Sequence, residues 1–455
     1  MDAGLFIGVM SVLSIFYLVL GWSVSKSMES SVDFFFAGRQ LEIFPITATL
    51  LATQIGGGMF IGTAQSPFRG VLYILGMVIG FITLSRGIAE RFRKLNVETV
   101  AGIFEKQYNS HNLGKICAVF SLITLSGILL AQTIAMHAVI NNFTGCYTQY
   151  IFPALWTIII LYTLLGGLKA VVMVDLIQVS IVITVFTALF LYSLWMNTVP
   201  FLSSSSFSNM TTIFDASGLS IGEIVRILMV TSCFSIITQD VAQRFFAAKD
   251  QKTAKYAALF ASLILLAFAI VPFYFGIKAY FLTTFTHEST LFLAIQKIAP
   301  GIPVVLAMCA LMAAITSTAD SLLCAIAAIL SSFFSPFLKS SIKNEVVLSQ
   351  TIIIICGIMA FILSYHIPKN IILMLVDSYE VSVVCLFVPL IIACLRSKKD
   401  LNALSAYLAI GLGGGALAFF TLNPIAWIGF WSLPVCLGFS ALGYFIGDSI
   451  RLKQV

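Results

Sequence analysis

The sequence predicts an all-α polytopic membrane protein with about thirteen transmembrane helices. Three observations predict it. Of the 455 residues, 60% are hydrophobic and 10% charged, with mean hydropathy +1.04; a soluble protein carries about 25% charged residues. Apolar stretches of about 20 residues, the length that crosses a bilayer, recur along the whole chain. One of them, 45–66, carries Gly56, Gly57 and Gly58 in a row, and each glycine costs a helix about 1 kcal/mol relative to alanine.

The spans are expected at roughly 4–24, 43–66, 70–88, 113–140, 150–166, 170–196, 219–240, 254–280, 301–333, 346–365, 371–395, 403–421 and 426–448. No basic segment precedes the first, so it reads as a span and not as a cleavable signal. The second cannot be a plain helix, because its glycine run favours unwound backbone. Inside a membrane such backbone is tolerated only where protein buries it or water reaches it. Its freed carbonyls are candidate ligands for a cation, and breaks of this kind mark the binding sites of secondary transporters. The span 219–240 contains TSCFSIITQD and is also weakened. Interrupted helices in corresponding places point to an inverted repeat. Between these groups, 197–218 is serine-rich and lacks Lys and Arg. Its Asn209-Met210-Thr211 fits the glycosylation sequon, a three-residue match treated as chance.

With the N-terminus outside, 20 of the 25 Lys and Arg fall on the side of the first loop, and Arg69, Arg226, Lys278, Lys297 and Lys369 fall on the other. This positive-inside bias makes the first-loop side, and the C-terminus, cytoplasmic. The expected location is a plasma or bacterial inner membrane, with the lipid bilayer as surroundings. The net charge of +6 is scattered over loops, so it is no nucleic-acid footprint. The nine cysteines mostly sit in apolar runs without metal spacing and read as packing. The four histidines form no ligand set, and His137, within a span, reads as packing.

The stretch 312–324, MAAITSTADSLLC, gathers the hydroxyls of Ser317, Thr318 and Ser321, with Ser317 and Ser321 on one helical face. A hard cation takes oxygen ligands, which these hydroxyls and the freed carbonyls supply; the bland reading is hydroxyls bonded back to their own helix. Asp320 in the same run, and Asp175 in LKAVVMVDLIQVS, are carboxylates inside spans. Such acids are costly and mark function by default; their structural reading is a partner for a basic group such as Lys169. Asp377 and Glu380, in LVDSYEVSVV, either pair a cationic group of a solute or bond Lys278 or Lys369 in a wet vestibule.

Four ordered stretches carry a family resemblance: Asp33-Phe34-Phe35-Phe36-Ala37-Gly38-Arg39; Tyr162-Thr163-Leu164-Leu165-Gly166-Gly167-Leu168-Lys169-Ala170 followed by Asp175 and Gln178; Gln243-Arg244-Phe245-Phe246-Ala247-Ala248-Lys249; and Ser317-Thr318-Ala319-Asp320-Ser321. Together they resemble the sodium:solute symporter family, the sodium-coupled sugar, proline, pantothenate, sialic acid and choline carriers. The resemblance runs from the first span to about residue 400. It implies a leucine-transporter-type fold of two inverted five-helix repeats, each opening with a broken helix. A single transmembrane domain, 1–455, is then divided into a peripheral helix and loop (1–41), a first repeat (42–218), a second repeat (219–400) and peripheral C-terminal helices (401–455).

The resemblance further implies a sodium site from the carbonyls of Ala52, Ile55 and Ala314 and the hydroxyls of Ser317 and Thr318. A second sodium site, present in some members, falls on Asp175, Asp320 and Ser321. Aspartate at 320 departs from members with a hydroxyl there, and it either strengthens that site or serves a proton. The solute pocket falls on Gln54, Gly57, Met59, Gln132, Thr231, Phe234 and Gln239. Gln54 stands where choline carriers have a cage tryptophan, and Met59 where sugar carriers have a glutamine, so neither solute is favoured.

The expected function is import of a small polar organic solute, driven by the inward sodium gradient through alternating access. Proton coupling through Asp320 or Asp175 is the alternative in the same fold. A transporter-like sensor is the alternative of a different class, disfavoured because no cytoplasmic domain follows before Val455. No nucleophile–base or HExxH arrangement suggests an enzyme. No nucleic acid and no obligatory protein partner is expected.

Overall fold

A backbone crossing lipid must satisfy its own amides, and helices do this within each segment. The computed structural model describes residues 3–26, 31–196, 218–282, 290–334, 342–366, 371–398, 401–423 and 431–452. Among these there is no strand, only an isolated bridge between Leu41 and Ala248. The Asn209 sequon, His287 and Lys369 lie outside the described residues.

The helices, in chain order, begin with α1 (Ala3–Ser25), α2 (Ser31–Phe36), α3 (Ile43–Gln54), α4 (Gly58–Gln65) and α5 (Pro67–Leu95). They continue with α6 (Val100–Tyr108), α7 (His111–Thr144), α8 (Thr148–Trp195), α9 (Ile221–Ile237), α10 (Gln239–Phe246) and α11 (Gln251–Phe268). The last are α12 (Ile270–Leu282), α13 (Thr290–Ile298), α14 (Ile302–Phe334), α15 (Ile342–Leu363), α16 (Ile371–Leu395), α17 (Ala403–Leu422) and α18 (Ser432–Leu452).

By length and composition, ten helices among the described residues can cross a membrane, or eleven with the bent pair α3 and α4 taken as one. The count of thirteen is reached only if His111–Trp195 is divided further. That run of 85 residues would be about 130 Å long as one helix, several bilayer thicknesses. Gly145 and Gly167 interrupt it with φ of +50° and +51°. Gly167 also lies so close to α2 that a Cβ there would stand 2.5 Å from the Phe34 carbonyl oxygen.

Both weakened spans are interrupted. Helices α3 and α4 meet at 50° across the glycine run. Helices α9 and α10 are separated by Thr238, which is extended (φ −72°, ψ 137°). Helix α14 is the centre of the molecule. In its most apolar window 83% of residues are buried, against 22% in α1 and 28% in α17. It packs on α8, α7 and α3, while α17 and α18 pack chiefly on each other. The burial gradient fits a small central bundle with lipid-facing helices outside.

Most described cysteines are buried and all are unpaired; Cys146 is exposed. His137 packs edge-on against Phe152 and Tyr365 at 5.1 and 5.4 Å. Two members of the positive-inside count belong to neither surface. Arg244 and Lys278, one assigned to each side, are 0% and 1% exposed. Setting both aside leaves the direction of the bias unchanged.

Candidate functional site: the broken helix and the buried charges beside it

The glycines at the break are required by space. A Cβ on Gly56 would lie 2.6 Å from Thr318 Oγ1, one on Gly57 2.8 Å from Ala135 Cβ, and one on Gly58 2.5 Å from Leu375 Cδ1. Helices α14, α7 and α16 thus together press on the glycine run. Helix α3 ends where Ile55 turns to ψ 68°. The freed amides find partners: Gly57 N–H donates to Gln132 Oε1 at 3.0 Å and Met59 N–H to the Gly56 carbonyl at 3.1 Å.

The carbonyls at the end of α3 meet α14. The Ser317 hydroxyl donates to the carbonyls of Ala52 and Ala314, both at 3.0 Å. The Thr318 hydroxyl donates to the carbonyls of Thr53 and Ala314, both at 3.2 Å. Four of the five groups expected around sodium (Ala52, Ala314, Ser317 and Thr318) therefore form one buried oxygen cluster, with Thr53 as an unforeseen neighbour. Ile55 stands one residue beyond Gln54 at the break and is buried. The donor set is oxygen throughout, as a hard cation requires, and each hydroxyl keeps lone pairs that can turn to a cation.

The second expected group is built differently. Asp175, Asp320 and Ser321 are close, but the Arg244 guanidinium stands among them, with all four residues 0% exposed. Arg244 Nη2 donates to Ser321 Oγ and lies 3.8 Å from Asp175 Oδ2; Nη1 donates to the Asp240 carbonyl at 2.7 Å. Thr49 Oγ1 donates to Asp175, and Tyr162 OH donates to Asp320 Oδ2 at 2.6 Å. Among the described residues, Asp175 Oδ1 and Asp320 Oδ1 have no hydrogen-bond partner. A fixed side-chain cation thus faces Ser321 and Asp175 within the group expected to form a second sodium site. Arg244 was missed because its neighbours in sequence read as a loop. Tyr162 was legible only as part of the family motif.

A cavity opens beside the break. Of the expected solute residues, Gln54, Met59, Gln132 and Phe234 line it, together with Tyr73, Met77, Asp240 and Tyr379. Gly57 flanks it through its bond to Gln132. The space open to the centre of a water-sized sphere is ≈ 20 Å³, room for about one water. It is capped by Phe234 stacked on Tyr379 (centroids 3.9 Å apart, 2° between planes) and by a 2.9 Å bond between the Tyr73 and Tyr379 hydroxyls.

The other expected solute residues are elsewhere. Thr231 bonds back to the Ile227 carbonyl at 2.7 Å and wedges against Gly76. Gln239 faces away from the cavity, accepting from Val100 N–H at 2.8 Å and donating to the Glu98 carbonyl at 3.3 Å. Asp377 and Glu380 both pair with Arg226, Asp377 at 2.7 Å. Arg226 is thus the cation that pairs with both acids among the described residues.

A sequence model of the sodium:solute symporter family matches residues 34–410 of the chain. The chain belongs to the sodium:solute symporter family. Its fold is that of the leucine-transporter type. A Na+-coupled sialic acid symporter, solved substrate-bound and outward-open, is similar over 98% of this chain and 97% of its own, with TM-score 0.80 and 16% identity. A nucleobase-cation-symport-1 family transporter in a closed conformation matches over 92% and 95%, with TM-score 0.58 and 13% identity. MhsT in complex with L-phenylalanine matches over 89% and 97%, with TM-score 0.55 and 14% identity. Sodium is accordingly a transported partner of this symporter.

Two sets of contacts between helices flank the cavity of the symporter. At one end Arg69 pairs with Glu223 at 2.7 Å, and Arg226 with Asp377 and Glu380, tying α5 and α16 to the start of α9. At the other end two of the family motifs meet, 33–39 and 243–249. Gln243 Nε2 donates to the Phe35 carbonyl at 2.8 Å, Lys249 N–H to the Leu41 carbonyl at 2.9 Å, and Arg93 to the Ala248 carbonyl at 2.5 Å. Glu98, in the loop before α6, sits there too, and its burial pushes its carboxyl above the ordinary range.

Proposed function

We propose that the symporter imports a small polar organic solute by alternating access, with one sodium bound at Ala52, Ile55, Ala314, Ser317 and Thr318. One observation carries this reading: the Ser317 hydroxyl reaches a carbonyl freed at the end of α3 and a carbonyl of α14 at the same distance, 3.0 Å. An alkali ion there binds both helices at once, so it favours the state in which they are together. Solute in the adjoining cavity, which Thr318 also lines, meets a partly ordered wall. Each ligand then raises the affinity for the other, as linkage demands.

The end closed by Arg69, Glu223, Arg226 and Glu380 is the outer gate. The end closed by Gln239, Gln243 and Arg93 is the inner one, in keeping with the excess of Lys and Arg on that side. Opening alternates between them, and the closed cavity is the occluded state between.

In proteoliposomes with an inward sodium gradient, Ser317→Ala combined with Thr318→Ala is expected to abolish sodium-stimulated uptake. Undiminished uptake by that double variant refutes the ion site. A proton-coupled reading is favoured by one observation, the Oδ1 atoms of Asp175 and Asp320, which lack hydrogen-bond partners among the described residues. Uptake driven by a proton gradient in sodium-free medium decides for it.

A further inference from the structure

Asp240 was not singled out by its sequence context, yet it is the one ionisable carboxylate or base that lines the cavity among the described residues. It is 4% exposed. Its carboxylate accepts from the Thr238 hydroxyl and stands in the first turn of α10, where a helix favours negative charge. It has no salt-bridge partner among the described residues. Arg244, one turn on, donates to the main-chain carbonyl of Asp240 and turns its guanidinium to Ser321 and Asp175.

Charge around the break is therefore unequal. Asp175, Asp240 and Asp320 are buried beside a single buried guanidinium, Arg244. A sodium ion at Ser317 and Thr318 compensates one carboxylate more and leaves another. Uncompensated buried charge is costly, and Asp240 is the acid that faces the solute space. The surfaces across from it suit a cation as well. Phe234 and Tyr379 present aromatic rings, and Met59 and Met77 present polarizable sulfur. Aromatic faces attract cations, the more so when desolvated.

We propose that the transported solute is a small organic cation, an amine with a compact apolar body, whose nitrogen pairs with Asp240 while its body lies against Phe234 and Tyr379. The proposal deepens the symport reading and rests on it for the cavity's role. Gln54 and Gln132 supply hydrogen bonds to any further polar group. Anionic solutes are repelled by Asp240, and neutral ones leave its charge unmatched.

The test is thermal stability of the purified full chain, titrated with benzylamine, benzyl alcohol and benzoate, and with butylamine and butanol, with and without saturating sodium. A ligand that binds only the folded state raises the midpoint. The amines are expected to stabilise the protein at concentrations at least tenfold below their neutral counterparts. Asp240→Asn keeps a side-chain oxygen for Thr238 but removes the charge, and it is expected to weaken the amines at least tenfold while a sodium-induced shift persists. Asp240→Glu is expected to keep the amine preference. Equal response to amines and alcohols, tighter binding of benzoate, no response to any amine, or amine affinity unchanged in Asp240→Asn each overturns the proposal. If Asp240→Asn does not fold, the wild-type comparison and Asp240→Glu still decide. Failure of the parent reading looks different: amines then bind through Asp240 with an affinity that sodium does not alter. Sodium-strengthened binding of a neutral solute, insensitive to Asp240→Asn, instead keeps symport and removes the cation.

Discussion

Arg244 carries more hydrogen bonds into the centre than any neighbour described above. Its fork serves Ser321, the Asp240 carbonyl and Thr49, and it faces Asp175. Removing one partner of a buried ion pair typically costs about 3–5 kcal/mol, because the other charge is stranded. Arg244→Gln is therefore expected to lower the thermal midpoint in detergent by many degrees and to abolish uptake. Arg244→Lys is expected to recover little, since an ammonium cannot reproduce the fork. A near-native midpoint for Arg244→Gln speaks against the guanidinium as the internal counter-ion. Tyr162 plays a smaller part. It donates to one Asp320 oxygen while the other has no partner. Tyr162→Phe strips the remaining bond and is expected to cost about 1–3 kcal/mol, read from the same melting curves.

The broken helix α3–α4 works because neighbouring helices approach its backbone more closely than any side chain permits. Gly56→Ala drives a methyl to within 2.6 Å of Thr318 Oγ1 and 3.1 Å of Gln132 Oε1. One of the two must shift, and both belong to the ion and solute walls. Sodium affinity, measured as the half-saturating concentration for uptake or for the thermal shift, is expected to weaken at least tenfold. An unchanged sodium dependence in Gly56→Ala means that the Thr318 hydroxyl is not a ligand. Helix α6 shows the usual local rules instead. Thr99 accepts from Gly102 N–H at 2.9 Å as its N-cap, and Thr99→Ala is expected to cost about 1 kcal/mol with transport retained. A loss of uptake at normal stability would give this cap, next to the Gln239–Val100 bond, a part in inner gating.

The whole molecule carries contacts of different strength at the two proposed gates. The outer set consists of ion pairs whose side chains are partly exposed, from 6% at Glu223 to 63% at Asp377. Of these, Asp377 is the most exposed, and an exposed pair contributes about 1 kcal/mol or less, which suits a gate that must open. The inner set uses main-chain carbonyls as acceptors, bound by Gln243, Gln239 and Arg93. Arg226→Ala releases Asp377 and Glu380 together and leaves two acids side by side, so the outer end is expected to open more often. In a cysteine-free background with Met77→Cys in the cavity, a membrane-impermeant thiol reagent added outside is expected to label several-fold faster when Arg226 is replaced. Equal labelling rates refute the gate.

The sequence by itself determined what depends on transfer from water to lipid and on local backbone cost. Hydropathy gave the helices, the glycine run gave the break in α3–α4, and TSCFSIITQD gave the one at Thr238. Ser317, Thr318 and Ser321 stood out as hydroxyls gathered in one apolar run, and the family resemblance gave the first two their expected sodium role. Tertiary structure alone decided the rest, because it depends on which distant groups are brought together. Arg244 reads as a loop residue until α10 folds it back onto Asp175. Gln239 reads as a pocket residue until Val100 claims it, and Asp377 and Glu380 read as solute ligands until Arg226 reaches them across about 150 residues. Asp240 carried no signal at all, since a carboxylate one position past a helix break looks like a cap. Only the meeting of α3, α5, α7, α9, α14 and α16 around one cavity makes it a wall of that space. Local energies are written along the chain, whereas the pairing of buried charges is settled by helices that meet only after folding.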